Sequence, residues 1–329
     1  MGLNETLVRR TPGPPAACPN VALAHSTNET DVGIGPNSID RSSSDQQGMS
    51  IIERLTGGSA RRHYRRRGYQ VFREVFPVSE IETIAQLTRD LVPSYSGELR
   101  RQDGRFALHD FFPDTFLVRN SLLHPHVSLP APLDELRDRL CRLVTAPALG
   151  HRLRQLDGVS HYIVHQTLLF LAAQTTELHL DSWSLDTAPL GHSHTVWIPL
   201  QDLDHRSGVP SVIPWPHGRV VTEQELGLQS AGSRDERYER YHTALRTKLL
   251  SGSPEAITPL LRRGDLVVWA SLTPHFTLPA HASPVERLSL QVLIRPAKNR
   301  WGDFLTQPFD KTSVQLEPVN EHFSVRILT

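Results

Sequence analysis

Two side chains near the middle of this chain have the types and spacing to hold a metal. Read as a strand, His179-Leu180-Asp181 sends its first and third side chains the same way, because side chains alternate along extended backbone. An imidazole and a carboxylate on one face are two thirds of a 2-His-1-carboxylate set. Such a set holds Fe(II) from one side and leaves the opposite coordination positions open. A lone His-x-Asp is a weak pattern, since a solvated strand edge carries it equally well. Downstream, Gly264-Asp265 turns into the apolar run Leu266-Val267-Val268-Trp269, followed by Thr273-Pro274-His275. Twelve residues later come Arg287 and Ser289, again two apart and so on one strand face. The planar guanidinium fork of an arginine suits a carboxylate.

Strands must position these residues, and the pattern supplies them. Apolar or alternating runs occur at 160–168, 177–181, 195–200, 209–213, 265–269 and 288–294. Ahead of them, 78–92 and 133–153 carry apolar residues at helical spacing, and 69–72 reads as a short strand. Between the two helices, 93–130 is irregular and carries Phe106, Phe111, Phe112 and Phe116, expected to build part of a pocket. Helices followed by six or more short strands predict a mainly β fold, a sandwich or jelly roll with N-terminal helical flanks. The segment 219–263 interrupts the strands; within it, 234–250 reads as a charged helix with Tyr238, Tyr241, Leu245 and Leu249 facing the core.

Composition narrows the classes. The chain has 329 residues with 35 Lys+Arg against 35 Asp+Glu, which argues against nucleic-acid binding by bulk charge. Its longest apolar stretch, 168–173, is far too short to span a bilayer, so no membrane partner is expected. The 2 cysteines cannot build a disulfide framework, and a cytoplasmic location is expected. Only Lys248, Lys298 and Lys311 are lysines, so arginine is the default cation here and each one is a weak pointer to function. Residues 1–48 are rich in Asn, Ser, Thr, Gly and Pro with no apolar period, the composition of a disordered tail. Met49 stands directly before the patterned sequence and is an expected alternative start.

Taken together, these residues resemble the phytanoyl-CoA dioxygenase family of Fe(II)/2-oxoglutarate-dependent oxygenases. The resemblance runs from about His63 to Pro296: it opens with His63-Tyr64-Arg65-Arg66-Arg67-Gly68-Tyr69-Gln70-Val71-Phe72 and continues through Gln166, His179-x-Asp181, Thr195-Val196-Trp197-Ile198-Pro199-Leu200, Ser207-Gly208-Val209-Pro210, His217-Gly218, His275, Arg287 and Ser289. It implies a cupin-like double-stranded β-helix over 49–310, with 219–263 as helical insert or lid and 311–329 as a C-terminal extension. It further implies Fe(II) held by His179, Asp181 and His275, and 2-oxoglutarate as cosubstrate with O2. The distal carboxylate of 2-oxoglutarate would meet Arg287, helped by Ser289; Gln166, Thr195 and Trp197 would line the cosubstrate region. The family's Pro-Gly-Ser-His is replaced here by Pro214-Trp215-Pro216-His217, which should stiffen that turn. Relatives that halogenate carry a small residue at the carboxylate position; Asp181 therefore favours hydroxylation or a related oxidation. The implied partner is a small-molecule substrate, and an insert of this kind is also a dimer contact in relatives, so a homodimer is expected.

Two other readings use the same residues. A non-catalytic small-molecule binder has no need of His179, Asp181, His275 and Arg287 together. A cupin-like metalloenzyme working without 2-oxoglutarate leaves Arg287 unexplained. Gly191-His192-Ser193-His194 offers a second His-x-His, but without a third ligand at suitable spacing it reads as lining the pocket mouth. His161 and His165 read as half-buried residues on one strand face.

Overall fold

The computed structural model describes residues 51–183, 185–204, 207–252, 254–277, 284–302 and 315–326; the expected tail, 1–48, lies outside them. In chain order the elements are α1 (Ile51–Arg67), β1 (Tyr69–Phe72), α2 (Val78–Leu91), β2 (Leu99–Arg100), β3 (Phe106–Ala107), β4 (Leu122–Leu123) and α3 (Pro125–Ser128). Next come α4 (Asp134–Val144), α5 (Pro147–Asp157), β5 (Tyr162–Ala172), β6 (Thr176–His179), β7 (Asp186–Ala188), β8 (His194–Pro199) and β9 (Pro210–Val212). The chain continues with α6 (Arg234–Ser251), β10 (Leu266–Ala270), β11 (His275–Thr277), β12 (Glu286–Pro296), β13 (Arg300–Gly302), β14 (Leu316–Pro318) and β15 (Phe323–Arg326).

A large sheet of 8 strands runs β1-β10-β8-β12-β5-β15-β14, with β4 also on β5; a small sheet runs β6-β11-β9. Alternation divides the large sheet cleanly. Val164, Val196, Ile198, Val268, Leu290, Val292 and Ile294 join one apolar cluster with Ile81 and Ile84 of α2, Leu136 and Leu140 of α4, and Leu149 and Leu153 of α5. The opposite face packs Tyr69, Trp197, Val267 and Trp269 with Val212 of the small sheet. This is the jelly roll of the mainly β expectation: helices cover one face and the small sheet covers the other. None of the described helices is long and apolar enough to cross a membrane.

Several expectations need correction. The helix expected over 133–153 is two helices, because Pro147 lacks the N–H to continue α4 and instead opens α5 at its first turn. Helix α1, unforeseen from its polar sequence, ends where Gly68 takes a left-handed φ of 74°. A Cβ there would meet Trp215 O and Thr273 Oγ1, each at 2.4 Å, so glycine is required for α1 to dock against the Trp215 turn. That docking is direct: Trp215 N donates to Arg67 O at 2.8 Å and His217 N to Arg65 O at 2.9 Å. The turn that departs from the family pattern is thus fastened to the end of α1 through its backbone. Phe106 and Phe116, expected in a pocket, are 60% and 85% exposed. Part of the expected C-terminal extension, β14 and β15, adds to the large sheet beside β5.

Candidate active site

His179 is the last residue of β6, and Asp181 opens the short 3-10 turn Asp181–Trp183, so the two do not share one strand as expected. The turn nevertheless brings the carboxylate back beside the imidazole, with His179 Nε2 at 3.8 Å from Asp181 Oδ1. His275 begins β11 directly opposite His179 in the small sheet, and the two rings lie 4.3 Å apart. His275 Nε2 is 3.6 Å from the same Asp181 oxygen. One ligand atom from each of the three residues lies within 4.8 Å of the others, the only such cluster among the described residues.

Each ligand is aimed by a second bond. His179 Nδ1 donates to Glu177 O at 2.8 Å and His275 Nδ1 to Thr273 O at 3.0 Å, which leaves both Nε2 lone pairs free to point at a metal. Asp181 Oδ2 accepts from Thr195 Oγ1 at 2.6 Å and from Trp269 Nε1 at 3.1 Å, which turns Oδ1 toward the two imidazoles. Electrostatics agree with this arrangement. Burial pushes His275 down to about 4 and also lowers His179, so both rings are neutral ligands at neutral pH. Burial alone would raise Asp181, but His275, His179 and the Thr195 and Trp269 bonds outweigh it and hold the carboxylate ionised. Ligand atoms 3.6 and 3.8 Å apart suit three donors each roughly 2.0–2.2 Å from one ion.

Cross-strand register aligns the rest. Gln166, Leu293, Thr195, Trp269 and Tyr69 form one row across β5, β12, β8, β10 and β1, and directly paired residues share a face. Gln166 thus sits in the row that carries the two residues holding Asp181. Trp197 occupies the next row, opposite Gln291 and Val267, and Ser289 the one after, opposite Pro199 and Phe170. Arg287, two residues from Ser289, turns its guanidinium between the Phe170 ring at 5.6 Å and the Trp197 ring at 5.9 Å. It is 3% exposed, donates Nη1 to Gly208 O, and has no carboxylate partner among the described residues. Its Nε and the Ser289 hydroxyl are buried without hydrogen-bond partners. Burial lowers this guanidinium to about 10, still charged at neutral pH. A buried cation beside an unsatisfied hydroxyl is a cradle that an incoming carboxylate completes.

The remaining histidines take other roles. His194 bridges Tyr64 (2.7 Å) and Asp157 (2.9 Å) and does not line the pocket mouth. His217 packs tilted against Tyr64 and edge-on to His192. His165 falls at an irregularity of β5 opposite Leu293 and Ile294 and packs on Trp301 at 4.3 Å, so it does not continue the face of His161. Sequence reasoning missed two contributors. Trp269 was legible, since alternation from Val267 places it inward. His242 of α6 was not: its Nε2 accepts the Leu180 N–H at 3.3 Å from 62 residues away, bracing the metal-binding turn.

The family model of phytanoyl-CoA dioxygenase (PhyH) matches residues 64–285, well over half of the chain. The chain belongs to this family. As a PhyH protein it is a 2-oxoglutarate-dependent oxygenase or catalyses a related reaction, with Fe(II), 2-oxoglutarate and O2 as cofactors. Among solved structures it is similar to the non-heme alpha ketoglutarate dependent carbocyclase SnoK from nogalamycin biosynthesis, at 17% identity and TM-score 0.52 over 81% of this chain and 90% of that one. The epimerase SnoN, solved with Fe3+, alpha ketoglutarate and nogalamycin RO, matches at 19% identity and TM-score 0.52 over 84% and 96%. At such identities the likeness is one of fold. A comparison with curated proteins by sequence finds no significant match.

Proposed function

We propose that this PhyH protein hydroxylates a small-molecule metabolite, with His179, Asp181 and His275 holding the iron and Arg287 and Ser289 holding the distal carboxylate of 2-oxoglutarate. The observation that carries this reading is the pairing of a pre-aimed three-ligand cluster with a buried guanidinium that has no carboxylate of its own. The oxygenase domain is taken as 49–310, with 219–263 as its insert and with β14 and β15 of the C-terminal extension joined to its large sheet. Iron bound at the cluster supplies oxidation of an unactivated substrate, coupled to decarboxylation of 2-oxoglutarate to succinate.

The chain's own residues prepare that chemistry. Thr195 and Trp269 fix the Asp181 carboxylate so that a single oxygen faces the histidines. The backbone acceptors at Glu177 and Thr273 fix the tautomer of each ring, a support whose loss typically costs about 10–100-fold in metal affinity. Phe170 and Trp197 sandwich the Arg287 guanidinium, which excludes water and leaves a bound ligand as its natural acceptor. Gln166, in the row of Thr195, is assigned to the cosubstrate region beside Trp197. Of the three ligand side chains, His179 is the most exposed at 22%, so substrate approaches from its side. Asp181 occupies the third ligand position with a carboxylate, which favours hydroxylation over halide transfer.

The test needs no substrate. Fe(II) and then 2-oxoglutarate are added to the protein without oxygen, and the visible spectrum is followed for the charge-transfer band of the chelate. The band is expected in the native protein and absent in His275→Ala. Tight iron binding with no band would overturn the assignment and favour a metalloenzyme without 2-oxoglutarate.

A further inference from the structure

Helix α6 of the insert lies along residues 177–183, the segment that carries two of the proposed iron ligands, and holds it at three successive points. Arg246 donates to the Glu177 carboxylate, Leu180 N–H donates to His242 Nε2 at 3.3 Å, and Arg234 Nη2 donates to Trp183 O at 3.1 Å. Helix positions fall as the segment advances, so α6 runs antiparallel to it. The start of α6 is fixed by its own sequence, since Ser233 and Glu236 form a capping box directly beside Arg234. Between the grips, Tyr241 and Leu245 join one apolar cluster with Leu178, Leu180 and Trp183. The Trp183 ring lies 4.8 Å from Tyr241 and 5.7 Å from His242.

The middle grip bears on the ligands themselves. Leu180 stands between His179 and Asp181, one step past the His179–His275 pair in the small sheet. A peptide unit is planar, so an acceptor that fixes the Leu180 N–H also fixes the link leading from His179. It thereby sets where the His179 ring lies relative to the turn that carries Asp181. His242 is poised for this. Because its Nε2 accepts, its Nδ1 carries the proton, and that N–H donates to Tyr238 O at 3.0 Å, one helical turn back. The residue is 1% exposed. An apolar side chain would serve for packing alone; a buried imidazole with both nitrogens bonded fixes an orientation as well. The first grip acts on the same ligand, because Glu177, whose side chain meets Arg246, offers its backbone O to His179 Nδ1.

We infer that α6 is a working part of the iron centre: His242 is a positioning residue for the His179–Asp181 turn, and docking of the insert and binding of iron stabilise each other. The inference rests on the proposal above that iron occupies the three-ligand cluster. Coupling of this kind is reciprocal. A turn held in ligand geometry by α6 binds iron more tightly, and iron, by holding the turn, keeps α6 docked. The insert is then no separable lid, and whatever displaces α6 loosens the iron.

Two measurements on the full chain test this. First, Fe(II) affinity is measured without oxygen by competition with a coloured chelator, alongside the denaturant midpoint. H242A should bind iron about 10–100-fold more weakly, the range for a residue that orients a ligand. H242Q, whose side-chain oxygen can accept the same N–H, should recover most of that loss. L245A removes packing from the same helix but no hydrogen bond; its midpoint should fall while its iron affinity stays near native. Native affinity in H242A, no recovery in H242Q, or an equal loss in L245A would reduce His242 to a core residue and overturn its positioning role.

Second, hydrogen exchange is followed in the native protein with and without Fe(II), which needs no variant. Amides of α6 should slow at least about tenfold when iron binds, and far more than those of α5 on the other face of the large sheet. Slowing in α6 no greater than in α5 would overturn the coupling. Iron binding by H275A is recorded beside both measurements. If the native protein binds no Fe(II), or H275A binds it equally well, the cluster reading itself fails, whichever way the α6 results fall.

Discussion

On the outer face of the large sheet, Val196, Val268, Leu290 and Val292 meet three helices and bury carbon against carbon. One residue along the same strands, the inner face carries Thr195, Trp269, Ser289 and Arg287, with bonds aimed at Asp181 or left for a ligand. The outer face derives stability from volume and shape, which tolerate small exchanges among apolar residues. The inner face holds polar groups whose partners are incomplete in the protein alone. That arrangement costs stability and is retained where binding completes it. A period of two thus separates folding from chemistry within single strands.

The sharpest way to break this comparison is at the cluster itself. His275→Ala should abolish the chelate band and lower iron affinity by well over about 100-fold, beyond the usual loss from a supporting residue. Circular dichroism and the unfolding midpoint should barely move; an unfolded variant would show that the inner face also carries the fold.

Next in size, Arg287→Ala should raise the 2-oxoglutarate concentration for half-maximal chelation by roughly 100-fold, the scale of losing one partner of a buried charge pair. Iron affinity should stay close to native, measured in the same titration. A 2-oxoglutarate requirement unchanged by this substitution removes Arg287 from the cosubstrate site.

On the outer face, Leu290→Ala should cost about 2–5 kcal/mol in denaturant unfolding through the cavity it leaves. Iron and 2-oxoglutarate binding by the folded fraction should be native. A loss of iron affinity larger than the loss of stability would couple the faces and contradict their separation.

A pH series tests the buried histidines. Burial pushes His126 down to about 3, and burial with neighbouring histidines takes His217 to about 4. The unfolded chain takes up these protons near pH 6.5, whereas the folded protein does so only far lower. Unfolded protein therefore binds more protons between about pH 6.5 and 4, and stability must fall as pH drops through that window. Each such histidine contributes a slope of up to about 1.4 kcal/mol per pH unit. His126→Asn should flatten the slope seen in denaturant melts of the metal-free protein; an unchanged slope places the acid sensitivity elsewhere.

The smallest effect is expected at Thr195→Val, which removes one bond to Asp181 while keeping volume. Iron affinity should fall about tenfold, the lower end for a residue that orients a ligand. Stability should change by less than about 1 kcal/mol, the net worth of one hydrogen bond.

Much of the large sheet was legible in advance because its strands are long and their periodicity is strong. The run expected at 195–200 is β8, and the run at 288–294 lies inside β12. Arg287 and Ser289 share the inner face, as their spacing required. The short pieces were not legible: β2, β3, β4, β7 and β13 have two or three residues each, too few for a period to register. Helix α1 was missed because its polar surface hides the pattern, and the split of α4 from α5 turned on Pro147. At the site, His179 and Asp181 were expected on one strand, and a turn brings them together instead.

The sequence by itself determined which groups could take part: two imidazoles, a carboxylate, a guanidinium and a hydroxyl, with the strand parity that puts Arg287 beside Ser289. Residue type and a period of two are local properties, carried by a few neighbouring positions. Only the tertiary structure decided that His179 and His275, 96 positions apart, face each other across β6 and β11. It also decided that Thr195 and Trp269 grip one oxygen of Asp181 and that His242 braces the turn from α6. Such meetings depend on register and on packing between distant segments, for which the spacing of residues along a chain holds no signal.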